Sequence, residues 1–405
     1  MAEIKSPSEK IPSPALSDKH RPMKTADPEF MRAINRFHVM DAIRRFGPIS
    51  RVEIAERTDL SPPTVSAITA ALIDDALIVP RAIGGVRDTA RGRPRVMLEL
   101  NPDAAHVVGV KLAPDQITVA ATDFRADVLN TLSMPIRVDR QPVNVIADLV
   151  EDGVRRCIAD AGLTIEAING VCIGLPGIVE QSSGKCRQSV IFRERDVDVG
   201  TEVSARLGIA VTVDSDVNLV TLAEHWFGHG RDLNDFLVVS IERNLGLGIM
   251  HNGELFRGAN GLGPDLGDFL VRRPDDRNIP ARLEAIILDA LTARDDSSPS
   301  LAMNAIDDET MENVSDAIGF AIASVITLFA PPKVILAGAA LTAGERLLKP
   351  LRDAIRKYTP SGLADVSEIV IHDWGDDIWA RGAAAMTLRE LYGAPWSSTG
   401  PARAH

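Results

Sequence analysis

Two helix starts that lie close together near the N-terminus constrain the fold of this chain more than any other feature. Ser50 and Glu53 have the spacing of a capping box, in which each residue satisfies a backbone N–H at the start of a helix. Ser61 is a second N-cap residue, and Pro62 after it fits the first position of a helix. A short helix, a tight turn and a second helix that runs to about Asp75 predict a helix-turn-helix.

A longer amphipathic helix precedes this pair. Apolar residues recur there at intervals of three or four, which places them on one helix face. They are Phe30, Ile34, Phe37, Met40 and Ile43. A glycine and a proline then end the helix at residues 46–48. The residues expected to face inward from the two following helices are Val52, Ile54, Ala55, Val65, Ile68 and Leu72.

The last of the three helices carries small and hydroxyl-bearing side chains away from its apolar stripe. Such side chains let a helix approach the bases of a DNA groove closely. The residues predicted to contact DNA from this helix are Pro62, Pro63, Thr64, Ser66, Ala67 and Thr69.

A strand, a basic loop and a second strand follow the third helix, which is the pattern of a wing. The strands are expected over 77–80 and 96–100, and the loop over 84–95 is rich in glycine and arginine. Arginines on a thin loop suit phosphates or a narrow minor groove. The wing residues predicted to contact DNA are Arg87, Arg91 and Arg93. The alternative is a small helical bundle with a solvated basic hairpin.

Charge and composition narrow the class of protein. Residues 1–100 hold 16 Lys and Arg against 13 Asp and Glu, although the whole chain has a net charge of −12. A basic segment joined to an acidic remainder suggests a polyanion-binding module attached to something else. The three cysteines are far apart, so neither a disulfide framework nor a CxxC metal pair is expected.

Neither a membrane span nor a secretion signal is expected. The longest apolar run, over 317–330, falls short of the roughly 20 residues that a bilayer requires. The charged N-terminus does not resemble a signal peptide, so the predicted location is the cytoplasm. Residues 1–25 mix Ser, Pro, Lys and Glu without periodicity and are expected to form a disordered tail.

From His106 onward, strand and helix patterns alternate, which indicates an α/β architecture. Strands are expected over 106–112, 117–123, 168–173 and 333–337, with helices over 142–162, 310–330 and 377–392. Asn252-Gly253 between short apolar runs predicts a type I′ hairpin.

Five short segments together resemble one known family. They are residues 60–66 (LSPPTVS), 92–94 (GRP), 174–177 (GLPG), 214–218 (DSDVN) and 258–261 (GANG). In combination they resemble the ROK family, which groups sugar-responsive repressors and sugar kinases. The resemblance implies a winged helix-turn-helix (mainly α) followed by a two-lobed actin-like (ribonuclease H-like) α/β ROK domain. The expected boundaries are a tail over 1–25, a DNA-binding domain over 26–100, a small lobe over 101–215 plus 376–395, and a large lobe over 216–375.

The resemblance also implies a sugar site between the lobes. The residues expected to bind the ligand are Pro176, Gly177, Ser215, Asp216, Asn260, Gly261, Asp265 and Asp268. Asp216 stands where the family's kinases keep their catalytic base. A carboxylate there can also accept hydrogen bonds from sugar hydroxyls without any ATP. The alternative is that Asp216 only caps a helix.

Three segments depart from the kinase pattern. The first hairpin reads KLAPD over 111–115, and the second phosphate loop reads ERNLGLG over 242–248, so the glycine backbone that cradles a phosphate is largely missing. The family's metal segment has a histidine and a cysteine cluster, but here residues 265–268 read DLGD and no cysteine follows. His225 and His229 have helical metal spacing without an evident third ligand. We therefore expect no catalytic residues, no cofactor and no metal.

The sequence thus predicts a DNA-binding transcriptional regulator, most simply a repressor of sugar transport or catabolism genes. Its expected partners are double-stranded DNA with a palindromic operator, a small-molecule sugar effector, and further copies of the chain in a homodimer or tetramer, with no membrane. One alternative is a ROK sugar kinase with an appended DNA-binding domain. Another is a DNA-binding regulator whose effector lobe has lost small-molecule binding.

Overall fold

The structure is a computed structural model, and it describes residues 28–81, 96–139, 141–242, 244–258, 260–272, 280–292, 306–363, 365–372 and 378–392. The predicted tail over 1–25 and the three wing arginines, Arg87, Arg91 and Arg93, lie outside these ranges.

Three helices and a small sheet form the N-terminal domain. The helices are α1 (Pro28–Phe46), α2 (Arg51–Thr58) and α3 (Pro62–Asp74). The strands are β1 (Ile49–Ser50), β2 (Ile78–Arg81) and β3 (Met97–Leu100), paired antiparallel in the order β1-β3-β2. This is the predicted winged helix-turn-helix, with one additional short strand, β1.

The predicted caps form as the sequence requires. Ser50 Oγ accepts from the backbone N–H of Glu53, and the Glu53 carboxylate accepts from the Ser50 N–H at 2.9 Å. Ser61 Oγ accepts from the N–H of Thr64 at 3.3 Å. Both helix starts are therefore fixed by contacts within four residues of sequence, which is why the sequence alone locates them.

Two of the residues expected to face inward are exposed instead. Phe30 is 48% exposed because it lies in the first turn of α1, well before Val39, where the helix enters the core. Val52 is 59% exposed, since it stands two residues from the buried Ile54 and so on another side of α2.

The first α/β sheet has five strands in the order β10-β7-β4-β5-β6. They are β4 (His106–Ala113), β5 (Gln116–Thr122), β6 (Val128–Met134), β7 (Ile168–Leu175) and β10 (Val211–Ser215). Strands β4, β7 and β10 run parallel, and β5 and β6 are antiparallel to their neighbours. The helices α4 (Val143–Asp160) and α5 (Val199–Leu207) pack together and belong to the same core as the sheet.

The second sheet repeats this arrangement in the order β13-β12-β11-β16-β17. Its strands are β11 (Phe236–Ile241), β12 (Leu245–His251), β13 (Glu254–Leu255), β16 (Lys333–Ala337) and β17 (Glu368–Ile371). Between β12 and β13, Asn252 and Gly253 have φ values of 53° and 75°, as the predicted type I′ turn requires. Two sheets of the same design, each a parallel part with an antiparallel hairpin, form the expected actin-like fold.

Two-stranded pairs and further helices complete the α/β part. The pairs are β8 (Ile178–Glu180) with β9 (Lys185–Gln188), and β14 (Leu270–Arg272) with β15 (Pro280–Arg282). The helices are α6 (Asp216–Trp226), α7 (Leu283–Thr292), α8 (Asp308–Phe329), α9 (Glu345–Tyr358) and α10 (Ile378–Leu391). The first sheet lies within the proposed small lobe and the second within the large lobe, whose boundaries stay a prediction.

Helices α6 and α10 join the two sheets. Helix α6 packs on β11 and β12, α10 packs on β4 and β7, and the two helices pack on each other. A Cβ added at Gly382 of α10 would lie 1.9 Å from the Leu219 carbonyl oxygen of α6, so only glycine allows the helices to approach this closely.

Helix α8 is long and apolar enough to cross a bilayer when judged by length and composition alone. It is longer than the apolar run in the sequence because it begins at Asp308. In the fold it packs against α9, and 56% of its most apolar stretch of 18 residues is buried, as in the core helix of a globular domain.

Candidate functional site

The exposed side of α3 is the candidate DNA-reading surface. Pro62, Pro63, Ser66 and Ala67 are exposed there, as predicted, and Thr64 is half-buried. The Thr64 hydroxyl lies 2.8 Å from Ser61 Oγ, so it takes part in the helix cap. The surface offers small side chains and no large group that would hold the helix away from a groove.

Thr69 does not belong to this surface, so its assignment to the DNA contacts was wrong. It is buried, because it follows Val65 by one helical turn and shares the apolar stripe. Arg51 Nε of α2 donates to Thr69 Oγ1 at 2.8 Å, and that hydroxyl donates to the Ser66 carbonyl at 3.2 Å. Thr69 therefore links α2 to α3, and Ala70 is exposed beside Ser66 and Ala67 instead.

A cleft of about 730 Å³ opens between the two large sheets. Five of the predicted ligand residues line it, namely Pro176, Gly177, Ser215, Asp216 and Asp265. The cleft is also lined by residues at the ends of β4 and β11 and by the loop over 337–342. Its size and its mixture of polar and apolar groups suit a small organic ligand.

The other three predicted ligand residues do not line the cleft. Asn260 is exposed, and the Gly261 carbonyl accepts from the N–H of Gln181 at 3.0 Å, which ties this loop to the end of β8. Asp268 forms an ion pair with Arg282 on β15. The family resemblance placed Asp268 in the site, but its ion pair with Arg282 engages the carboxylate elsewhere.

Asp216 begins α6 at the floor of the cleft. Ser215 is the N-cap residue by backbone conformation but makes no side-chain cap bond. The Asp216 carboxylate accepts from the N–H of Val217 at 2.7 Å, so it makes a helix-start contact, and its contact with a ligand stays a prediction. Burial and the neighbouring Glu242 carboxylate raise the pKa of Asp216 to about 6, and the Lys111 ammonium opposes this.

A buried polar cluster around Asp214 stabilises the start of α6 next to Asp216. Asp214 Oδ1 accepts from Asn218 Nδ2 and from the Ser215 N–H, both at 2.7 Å. Asp214 Oδ2 pairs with Arg257, whose side chain is almost fully buried. Since Arg257 directly precedes Gly258, this ion pair holds Gly258 close to the end of β10. Sequence reasoning missed Arg257. The only feature of the sequence that pointed to it is its position directly before the segment that begins at Gly258.

An ion pair joins the two sheets across the cleft. Lys111 Nζ, near the end of β4, donates to Glu242 Oε1, directly after β11, at 3.0 Å. Both side chains line the cleft with Pro114 of the β4–β5 turn. These are the segments where the family's kinases were expected to approach a phosphate.

Two carboxylates form what we call the acidic end of the cleft, Asp265 and Glu284. A Cβ added at Gly267 would lie 3.2 Å from Asp265 Oδ1 and 3.4 Å from Glu284 Oε2, so the two side chains are neighbours. Burial raises the pKa of Asp265, and burial together with Asp265 and Asp268 raises that of Glu284. Sequence reasoning missed Glu284, because a glutamate in the first turn of a helix such as α7 is ordinarily explained by its favourable interaction with the helix dipole.

No group of three or more His, Cys, Asp or Glu residues within the described ranges could hold a metal ion. His225 is buried, neither ring nitrogen is hydrogen-bonded to a residue that the structure describes, and burial with Arg45 and Arg44 lowers its pKa to about 4. His229 donates its backbone N–H to Glu224 at 2.7 Å. The expected absence of a metal stays a prediction for the whole chain.

The N-terminal domain is joined to the cleft through the other end of α6. Arg44 of α1 donates to the Trp226 carbonyl at 3.0 Å, and its guanidinium lies 4.2 Å from the centre of the Trp226 ring. Asp41 pairs with Arg44 at 2.6 Å. The Tyr392 ring stacks on the Trp226 ring, with 5.5 Å between the two ring centroids. Helix α6 therefore begins in the cleft and ends against the DNA-binding domain.

Comparisons with known proteins agree with both parts. The model of the ROK family matches residues 107–280, and that of a winged helix-turn-helix DNA-binding domain matches residues 32–79. The chain is 25% identical to the xylose repressor of Caldicellulosiruptor bescii over 397 residues, covering 90% of this chain and 98% of that protein. It is 26% identical to the DNA-binding transcriptional dual regulator NagC of Escherichia coli, covering 81% and 86%.

Solved structures show the same fold. A ROK family transcriptional regulator described as a homologue of the Escherichia coli MLC protein superposes with a TM-score of 0.72 at 24% identity, over 90% of this chain and 97% of that one. The ROK hexokinase of Thermus thermophilus superposes with a TM-score of 0.56 at 22% identity, over 71% and 99%. The resemblance found in the sequence is thus confirmed: a match to the ROK family over residues 107–280 follows a match to a winged helix-turn-helix DNA-binding domain over residues 32–79.

Proposed function

We propose that this protein is a sequence-specific DNA-binding regulator, a repressor of sugar transport or catabolism genes that a sugar bound in the cleft controls. The observation that carries the proposal is the exposed small-residue face of α3, which packs on the same apolar core as helix α6 at the cleft of ligand size. Relatives named as xylose and N-acetylglucosamine repressors match the chain over most of its length, which supports this reading.

The expected DNA site is a palindrome bound by a homodimer or tetramer in the cytoplasm. Closed two-fold assemblies place two recognition helices about one DNA turn apart, which mirrors a palindromic sequence. We expect the wing arginines Arg87, Arg91 and Arg93 to contact phosphate or the minor groove.

A glutamate placed on the DNA-reading surface tests the proposal. Ala67→Glu would set a carboxylate against the phosphates and bases, so selection from a genomic DNA library should recover a site with the natural protein and none with the variant. Val145→Glu, on the exposed side of α4, is the matched control and should select the same site as the natural protein. A natural protein that selects no preferred sequence would refute the proposal.

We propose further that the chain transfers no phosphate and uses no cofactor. The Lys111–Glu242 pair and Pro114 stand in the segments where a nucleotide's phosphates were expected, and Glu242 would repel them. An assay for ADP release with ATP and a panel of hexoses, pentoses and amino sugars should stay at background. Sugar-dependent ADP release would favour the alternative, a ROK sugar kinase with an appended DNA-binding domain.

The remaining alternative is a regulator whose effector lobe no longer binds a small molecule. A sugar that raises the melting temperature of the protein and weakens operator binding supports sugar control. Operator binding that no sugar in the panel changes supports this alternative.

A further inference from the structure

We infer that the cleft binds a sugar carrying a free amine and excludes sugars carrying a phosphate or a carboxylate. This inference rests on the proposed function and names the chemical class of its effector.

The charge of the cleft is the first argument. Among the described residues that line it, five carry carboxylates and one carries an ammonium group. The carboxylates belong to Asp115, Asp216, Glu242, Asp265 and Glu284, and the ammonium to Lys111. Lys111 is already paired with Glu242 at 3.0 Å. An anionic ligand would have to break that pair and approach the other carboxylates, whereas a cationic ligand is attracted by them.

An unsatisfied acceptor is the second and independent argument. Asn218 is 3% exposed and lines the cleft, and its Oδ1 has no hydrogen-bond partner among the described residues. The orientation of its amide is fixed, because Nδ2 must donate to the Asp214 carboxylate at 2.7 Å. The remaining oxygen therefore requires a donor, and a ligand N–H or O–H can supply one.

The acidic end gives the third argument. Asp265 and Glu284 are neighbours, and the Asp265 carboxylate accepts the backbone N–H of Gly267 at 2.9 Å and also that of Asp268. Asp265 disfavours the charged form of Glu284, and Asp268 disfavours the charged form of both, although Arg282 opposes this effect. An ammonium group placed between them removes this repulsion and donates up to three hydrogen bonds. A neutral hydroxyl donates only one and leaves the repulsion in place.

Matched ligand series test the inference. The natural protein is titrated calorimetrically near neutral pH with glucose, mannose and galactose, and with the 2-amino, N-acetyl-2-amino and 6-phosphate forms of each. For the configuration that binds, we expect the free amine to bind about tenfold or more tightly than the parent hexose. The N-acetyl form should lose this gain because it has no charge, and the 6-phosphate should bind at least about tenfold more weakly than the parent.

A charge-removing variant assigns the effect to the acidic end. Glu284→Gln keeps the size of the side chain and should reduce the preference for the amine over the hexose to about threefold or less. Glu309→Gln removes an exposed carboxylate at the start of α8, outside the cleft, and should leave the preference unchanged. Circular dichroism melting of both variants verifies that they are folded.

The outcomes separate this inference from the function on which it rests. A 6-phosphate that binds as tightly as its parent hexose, or an amine that binds no more tightly, overturns the inference and leaves sugar control intact. Operator binding without binding of any sugar in the series overturns both the inference and the sugar-controlled part of the proposed function.

Discussion

At the scale of single residues, Asp216 has to satisfy two opposing requirements. Its carboxylate lies where it can accept hydrogen bonds from a ligand, but burial next to Glu242 disfavours its charged form. Burial and Glu242 raise its pKa to about 6. The charged form, which is the better hydrogen-bond acceptor for a ligand, is thus the form that burial and Glu242 disfavour.

The pH dependence of stability follows from that shift. In the unfolded chain the pKa of an aspartate is about 3.9, so the folded state binds the proton more tightly and stability falls as the pH rises from about 4 to 6. Asp216→Asn removes the charge. We expect the free energy of unfolding of this variant to exceed that of the natural protein by about 1–3 kcal/mol at pH 8 and to match it at pH 4. Urea unfolding at the two pH values measures both differences, and an equal difference at both would contradict the assigned cause.

Shortening the Asp216 side chain should lower the affinity for the ligand. Asp216→Ala removes the acceptor and leaves a ligand hydroxyl or amine unpaired, which should cost about 1.5–3 kcal/mol of ligand binding. Operator binding without ligand should stay nearly the same, because Asp216 lies in the cleft and not on the surface of α3. Titration calorimetry and operator binding on the same preparation check the two statements. An unchanged ligand affinity would remove Asp216 from the site.

Residues held by local contacts were predictable, and residues held by distant partners were not. The caps at Ser50 and Ser61 depend on neighbours three positions away. Thr69 was misplaced because a hydroxyl on the apolar stripe needs a partner such as Arg51, which comes from another helix. Asp268 and Glu284 were misjudged for the same reason, since Arg282 and Asp265 reach them only once the chain has folded.

At the scale of elements, a part-buried hydrogen bond from Arg51 to Thr69 links α2 to α3. Thr69→Val keeps the shape of the side chain and removes the acceptor for Arg51 Nε, so the variant should lose about 1 kcal/mol of stability. Operator affinity should fall only slightly, since the exposed residues of α3 are unchanged. Chemical unfolding and operator titration measure the two effects. A loss of operator affinity as large as that of Ala67→Glu would show that Thr69 itself contacts DNA.

Helix α6 is the element that connects the two proposed binding sites. Its first residue, Asp216, lies in the cleft, and its last residue, Trp226, packs against Arg44 of α1. Arg44→Lys keeps the charge beside Asp41 but loses the planar contact with the Trp226 ring. We expect this variant to bind sugar with unchanged affinity and to bind operator, while the sugar weakens its operator binding several-fold less than in the natural protein.

Operator titrations with and without sugar measure this effect. The control is Arg155→Lys. Arg155 forms an exposed ion pair with Glu151 on α4, and this variant should behave like the natural protein. An Arg44→Lys variant whose operator binding responds fully to sugar would show that the signal does not pass through this contact.

The order of the elements was predictable, but their arrangement in space was not. Periodicity located the long helices α4, α8 and α10 to within a few residues. The pairing of β4 with β7, or of β11 with β16, joins segments separated by a whole helix, and no local pattern encodes it. The family resemblance supplied that part of the fold.

At the scale of the whole molecule, the two domains share one core. Apolar residues of α1 and α3 form a continuous cluster with those of α6 and α10. A change in the cleft that moves α6 therefore has to be accommodated by the DNA-binding domain, because a close-packed core does not deform gradually. Through this connection, sugar changes DNA binding by shifting the equilibrium between two states of the chain.

Thermodynamic linkage gives this coupling a strict test. If sugar weakens operator binding by some factor, operator must weaken sugar binding by the same factor, and a coupling of about 1–3 kcal/mol corresponds to roughly 5–150-fold. We expect sugar titrations with free protein and with the preformed operator complex to differ by the factor found in operator titrations with and without sugar. In Arg44→Lys both factors should fall together, since both depend on the contact between α1 and α6. Factors that differ would mean that sugar changes operator binding by altering the number of chains on the DNA, rather than by shifting each chain between two states.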